Sequence, residues 1–207
     1  MSTDERTALA PPTEKGRAMR ARIVDAAAEL IFERGIAEVS LGDIQEKSGA
    51  SKSQLYHYFA DKNDLLRAVI KRQERDVLGR HRVVFESLGD WDDLQRWRDA
   101  IVAFQASRGC RGGCPIGSLA SGLAELDDGA RDQLSDAFES WVGLIAEGIA
   151  RMVERGDIRA DADAEALAIG VLASLQGGLL MAETARSTRP LEIALDAALA
   201  HLKSFAT

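Results

Sequence analysis

Residues 40–64, SLGDIQEKSGASKSQLYHYFADKND, crowd two helix starts, one glycine stop and two short apolar faces into a single stretch, and few folds can accommodate that. Ser40 is placed to cap a first helix whose Leu41 and Ile44, spaced i and i+3, point inward, and Gly49 is placed to end it with a left-handed residue. Ser51 starts a second helix in the S-x-x-Q form, its hydroxyl accepting from the Gln54 amide while the Gln54 side chain reaches back. Leu55 and Phe59, four apart, supply the inward face of that helix. Lys52, Ser53, Tyr56 and His57 then face outward, with Gln54 and Tyr58 on the flanks. The pattern is a helix-turn-helix, and its outward set has the hydrogen-bonding and stacking groups that a helix laid in a major groove needs.

The neighbouring segments complete a small head. A helix is expected near Met19 to Arg34, with Ile23, Ala27, Leu30 and Ile31 on one face and Gly35 as its stop. It should pack over Leu41, Ile44, Leu55 and Phe59 as a three-helix core. Residues 1–16 carry Pro11, Pro12 and no periodicity, which predicts a flexible arm, followed by the basic side chains of Arg17, Arg20 and Arg22. After the second short helix, Asp61 can cap a long helix from Lys62 to the break at Leu88-Gly89-Asp90. Its Leu65, Leu66, Val69 and Ile70 belong with the head, whereas Val77, Val84 and Phe85 lie farther along. The resulting division is an arm (1–16), a head (17–64) and a helical body (65–207).

SLGDIQEKSGASKSQLYHYFADKNDL resembles the N-terminal domain of TetR-family transcriptional regulators, which runs roughly T-x-x-x-I-A-x-x-A-G-V-S-x-G-x-L-Y-x-H-F-x-x-K-x-x-L. Ile44, Gly49, Ser51, Leu55, Tyr56, Phe59, Lys62 and Leu65 match, with Ser40 standing for Thr and Tyr58 for His. The resemblance implies that Lys52, Ser53 and Gln54 approach base edges and that Tyr56, Tyr58 and Lys62 hold the phosphate backbone. Ser40, Ser51 and His57 complete the expected DNA-contacting set. Gly42 and Ser53 depart from the family pattern, so no operator sequence carries over.

The body reads as further helices. Residues 91–108 place Leu94, Trp97, Ile101 and Phe104 on a stripe, and a Gly-rich segment holding Cys110 and Cys114 precedes a short helix around Ile116 to Leu126. Residues 113–120, GCPIGSLA, resemble a motif of the LmrA/YxaF-like branch of the same family, which implies a ligand-binding domain and control of efflux or detoxification genes. Residues 128–155 follow as a long helix, then 161–187 and 190–205, the last opened by Pro190. An effector cavity is expected between the 91–126 region and the helix from 128, walled by Trp97, Ile101, Phe104, Cys114, Phe138, Trp141, Ile145 and Met181, with Ser118 or Gln176 as its polar contact. Such walls suit a bulky, mostly apolar small molecule. Leu167, Val171, Leu175, Gly178, Leu195, Leu199 and Leu202 are expected at a four-helix homodimer interface, which the resemblance implies and paired half-site reading requires.

Charge supports this partition. The chain carries −7 overall, but residues 15–75 hold 12 Lys and Arg against 9 Asp and Glu, so the acid lies away from the expected DNA face. No run approaches the ~20 apolar residues that cross a bilayer, and MSTDERTALAPPTEKG lacks a signal-peptide core, so a cytoplasmic protein is expected. A nucleophile with a nearby base, paired carboxylates and a phosphate-cradling loop are all missing, so no catalytic residue and no cofactor are expected. His57, His81 and His201 are not spaced as metal ligands. Two rival readings remain: Cys110 and Cys114, near Arg108 and Arg111, as a redox-sensing pair, or a helical thiol oxidoreductase built on them. The first reading is an all-α, ligand-responsive regulator that binds operator DNA as a homodimer.

Overall fold

A computed structural model of the chain describes residues 13–207, and every long element in it is a helix. Of the arm expected at residues 1–16, residues 1–12 lie outside the described residues, while 13–16 are the cap and first turn of a helix and not an arm. From Thr13 onward the chain is already ordered: its side chain accepts from the Gly16 amide at 3.1 Å and caps α1, Glu14–Arg34. Helix α1 thus begins five residues before the Met19 start read from periodicity, because a Thr cap followed by acidic Glu14 is a sufficient start signal without an apolar stripe.

The chain divides into two compact units, one built from the chain through Gln73 together with Leu119–Gln133, the other from Glu74–Ser118 and Leu134–Thr207. The first unit holds α1, a short 3-10 turn at Ile36–Glu38, α2 (Leu41–Ser48), α3 (Lys52–Tyr58) and the start of α4 (Lys62–Glu86). Its core is Ile23, Ala27, Leu30, Ile31, Ile44, Leu55 and Phe59, as expected, with Leu41 only half-buried. Leu65, Leu66, Val69 and Ile70 are buried here too, so the boundary falls inside α4 after Gln73 rather than between residues 64 and 65.

The second segment of this unit joins residues 60 and more positions apart. Gln133 Nε2 donates to the Arg67 carbonyl at 3.0 Å, Arg67 pairs with Asp127 at 3.5 Å, and Gly122 lies so close to Ile36 that an added Cβ would stand 2.8 Å from Ile36 Cγ2. Assigning all of 65–207 to the body overlooked these links, which are long-range and leave no local trace.

The second unit contains the rest of α4, α5 (Trp91–Ser107), α6 from Pro115 (Pro115–Leu123), α7 (Asp128–Arg155) from Leu134, α8 (Ala164–Ala185) and α9 (Arg189–Lys203). Arg151 donates to the Phe85 carbonyl and Arg155 Nη1 to the Leu88 carbonyl at 3.2 Å, so basic side chains of α7 satisfy the orphan carbonyls where α4 ends. Asp90 caps α5 reciprocally with Asp93, and Arg98 reaches Asp196 of α9 through two nitrogens at 2.8 and 2.9 Å. Helices α8 and α9 form the most extensive pairing among the described helices; Gly178 permits it, since a Cβ there would meet Leu191 Cα at 3.0 Å.

One expectation is corrected outright. The 22 residues of α8 are long and apolar enough by composition to cross a membrane, contrary to the reading that no run qualifies. The stripe that faces α9 is buried inside the protein, which explains much of that apolar content.

Candidate functional site

The head presents α3 on a doubly capped frame. Ser51 Oγ accepts from the Gln54 amide at 3.2 Å while Gln54 Oε1 accepts from the Ser51 amide at 2.9 Å. Ser40 and Asp43 make the same reciprocal pair on α2, at 3.2 and 2.9 Å, and the hydroxyl of Ser40 also donates to Asp43. These hydrogen bonds hold the Asp43 carboxyl below the usual carboxylate range, the Ser40 hydroxyl contributing most. Between the helices, Gly49 takes φ +68°, and Arg22 Nη2 donates to the Ser48 carbonyl at 2.5 Å, closing the C-terminus of α2.

On this frame Leu55 and Phe59 are fully buried, and the Arg20 guanidinium lies 5.0 Å from the centre of the Phe59 ring. Ser40, Ser51, Lys52, Ser53, Gln54, His57 and Lys62 are exposed, Tyr56 is 51% exposed, and Tyr58 is half-buried with its ring edge against His57 at 4.9 Å. The residues read as DNA contacts thus share the surface of one unit. Lys62 has a second task that the sequence did not suggest: its Nζ donates to the Val39 carbonyl at 3.1 Å, leaving two N–H groups for other partners.

The body holds a cavity of about 560 Å³ that is open to solvent on one side. Trp97, Ile101, Phe104, Cys114 and Trp141 line it, as expected. Ser118, Phe138, Ile145, Gln176 and Met181 do not. Ile145 is fully buried in packing, Met181 is 61% exposed, and Gln176 lies against Gly117 and the Cys114 thiol. Helical spacing identified an apolar stripe on each element but not which members of it border empty space. Missed were Val77, Arg80, His81 and Val84 of α4 with Leu175 and Leu179 of α8. On α4 the signal was weak because Arg80 and His81 sit in a stretch rich in charged residues.

His81 is the electrostatic centre of the wall. Its Nδ1 accepts from Trp97 Nε1–H at 3.0 Å and its ring stands 4.6 Å from that of Trp141. Burial, helped by the nearby charge of Arg80, pushes His81 down to about 4, so the imidazole is neutral at physiological pH. Cys110 and Cys114 are free and buried. Burial pushes the Cys114 thiol up, and a protonated thiol is a poor nucleophile.

The residues assigned to a dimer interface are corrected. Leu167, Val171, Leu175, Gly178, Leu195 and Leu202 are buried within the single chain, with Leu199 partly so, because they form the α8–α9 contact and, at Leu175, the cavity wall. The exposed apolar side chains of this pair are instead Ile169, Leu180, Met181 and Ile193.

Comparison with known proteins agrees with both units. The family described as "Bacterial regulatory proteins, tetR family" matches residues 23–69, and "Tetracyclin repressor-like, C-terminal domain" matches residues 92–198. The HTH-type transcriptional repressor DhaR of Mycobacterium sp. (strain GP1) is 27% identical over 84% of this chain and 87% of its own length. The uncharacterized HTH-type regulator YxaF of Bacillus subtilis (strain 168) is 25% identical over 83% of this chain and 88% of its own. The crystal structure of regulatory protein TetR from Rhodobacter sphaeroides, 25% identical, superposes with a TM-score of 0.79 over 88% of this chain and 98% of that one. A capped helix-turn-helix and a hollow helical body, each matched along its length by regulators rather than enzymes, place this chain in the TetR family of DNA-binding transcriptional regulators.

Proposed function

We propose that the protein is a homodimeric, cytoplasmic repressor, released from a palindromic operator when a bulky, largely apolar small molecule fills the cavity of its body. The observation that carries this reading is that α4 belongs to both units. Its Leu65, Leu66, Val69 and Ile70 are core residues of the head, and its Val77, Arg80, His81 and Val84 are wall residues of the cavity. A ligand that favours one position of the far half of a continuous helix biases the near half, and with it α3. Repression is favoured by the likeness to the repressor DhaR, and control of efflux or detoxification genes by the resemblance of the GCPIGSLA motif alone.

Lys52, Ser53 and Gln54 read base edges in this proposal, while Tyr56, Tyr58 and Lys62 grip phosphates. Dimerisation uses the outer stripe of α8 and α9, with Ile169, Leu180, Met181 and Ile193 as its apolar contacts and Gly177, beside which no group lies within 4 Å, admitting the partner's backbone. Genomic footprinting of the purified protein tests the reading: a protected inverted repeat is expected, and a compound that fills the cavity should abolish the protection. Protection that never responds to any cavity-filling compound would sink the ligand-release mechanism while leaving DNA binding intact.

A further inference from the structure

The chemistry of the ligand follows from what the polar groups on the cavity wall are already doing, and this step rests on the ligand-responsive reading above. Asp93 accepts the backbone amides of Gly89 at 2.8 Å and Asp90 at 3.3 Å and pairs with Arg96 at 2.5 Å, so that carboxylate and that guanidinium cancel. The Ser87 hydroxyl donates to the Val83 carbonyl at 2.7 Å. Trp97 Nε1–H is spent on His81 Nδ1, which leaves the proton of the neutral imidazole on Nε2.

Among the described residues, the wall side-chain groups then without a hydrogen-bond or ion-pair partner are the Arg80 guanidinium, His81 Nε2–H, the buried Trp141 Nε1–H and the amide oxygen of Gln105, whose Nε2 donates to the Gly113 carbonyl at 3.5 Å. Three of the four are donors, and the one charged group among them is Arg80. With Asp93 and Arg96 offsetting each other, the wall carries one net positive charge, that of Arg80. Its field reaches inward, since it acts on both His81 and Cys114, two other wall residues. Most of the remainder is aromatic and aliphatic, and exposed Val83 (71%) and Phe104 (50%) share the rim with exposed Arg80, Ser87 and Arg96. A neutral hydrocarbon would leave the sheltered donors of His81 and Trp141 unanswered, and a cation would be repelled by Arg80.

We propose that the cavity takes an amphipathic organic anion, with a flat aromatic body lodged among Trp97, Phe104 and Trp141 and an acidic group paired with Arg80. The acidic group is a carboxylate, sulfonate or comparably ionised oxygen, which accepts from a guanidinium in a charge-assisted hydrogen bond. The aromatic body gains from stacking geometry as well as burial.

Two probes that differ only by a sulfonate group test this on the full-length protein: anilinonaphthalene sulfonate and its uncharged parent, N-phenylnaphthylamine, titrated by fluorescence. Both should bind the unaltered protein. Arg80→Gln should weaken the sulfonate about tenfold and leave the uncharged probe within about twofold, while Arg80→Lys should retain most of the sulfonate affinity. Retained binding of the uncharged probe also shows that the Gln variant keeps its cavity. Equal weakening of both probes, or no weakening of either, overturns the anion assignment and leaves the ligand-responsive reading standing. Failure of both probes to bind the unaltered protein overturns that reading itself.

Discussion

Replacing His81 with Gln should flatten the acid dependence of stability. The imidazole has an ordinary pKa of 6.5 and is pushed down to about 4 in the folded chain, first by burial and then by the charge of Arg80. In the window between those values the unfolded chain binds a proton that the folded chain refuses, so protonation draws the equilibrium toward unfolding. The stability tied to His81 is therefore fully present above the upper value and drains away as pH falls toward the lower one. At ~1.4 kcal/mol per unit the full loss is roughly 3 kcal/mol, and between about pH 7 and about pH 5 it comes to about 2 kcal/mol. The Gln amide oxygen can still accept from Trp97 Nε1–H, so the substitution removes titration while keeping the hydrogen bond. Urea unfolding of both proteins at the two pH values, at one fixed concentration so that subunit association enters equally, reads the difference. The wild type should lose about 2 kcal/mol more than the variant on acidification. The depressed carboxylates of Asp43 and Asp93 lie below this window and are common to both proteins. Parallel losses in the two proteins would mean that His81 is already solvated in the folded state and that the wall is not closed as drawn.

Three further outcomes follow from the geometry. Tyr56→Ala combined with Lys62→Ala should weaken binding to any DNA and flatten its salt dependence, whereas Gln54→Ala should relax sequence preference and cost about 1 kcal/mol of stability through the lost capping box, measured by fluorescence anisotropy and thermal unfolding. Undiminished affinity in the double variant refutes the placement of the contact face. Ile169→Glu with Leu180→Glu should yield a species of one 22.4 kDa chain in analytical ultracentrifugation, and a persistent dimer moves the interface elsewhere. Gly113→Ala should cost about 1–3 kcal/mol in thermal unfolding, because Gly113 has φ +49° and an added Cβ would stand 2.5 Å from Glu183 Oε2; an unchanged Tm contradicts that contact.

The head was legible because its determinants are local. Ser40, Gly49 and Ser51 each act on groups within four residues, so their types and spacing are enough to place α2, the turn and α3. Leu55 and Phe59 could be assigned inward because a seven-residue helix has room for one apolar face. The cavity was legible only in part. Trp97, Phe104 and Trp141 are large and periodic, but whether such a side chain borders a void or fills one depends on its neighbours across the fold, and Ile145 and Phe138 carry the same periodicity as Trp141. His81 was weighed only as a metal ligand and not as part of the cavity wall. Its neighbour Arg80 and its place in a charged stretch of α4 suggested solvent, and only the indole of Trp97, 16 residues away, turns it into a buried acceptor.

Helix α8 shows why one apolar pattern supported three different readings. Leu167, Val171, Leu175, Leu179 and Ala182 are buried, while Ile169, Leu180 and Met181 point away, so apolar residues occur on opposite sides of the same helix. A helix of this kind suits a membrane span, a subunit interface or a helix sandwiched in a core, and periodicity does not separate them. The position of α9 does. It occupies the inner stripe, which removes that side from any intermolecular role, and on its own outward face it sets Ile193 beside exposed Asp196, Ala197, Ala200 and His201. Lipid would tax the carboxylate of Asp196, already held by Arg98, without offering it a partner, whereas a second protein surface can place polar groups or water opposite. The outer stripe is therefore better matched to a subunit than to a bilayer. The error in reading Leu167, Val171 and Leu195 as intersubunit contacts was one of side and not of helix: the same two elements carry the proposed interface, rotated to their opposite faces.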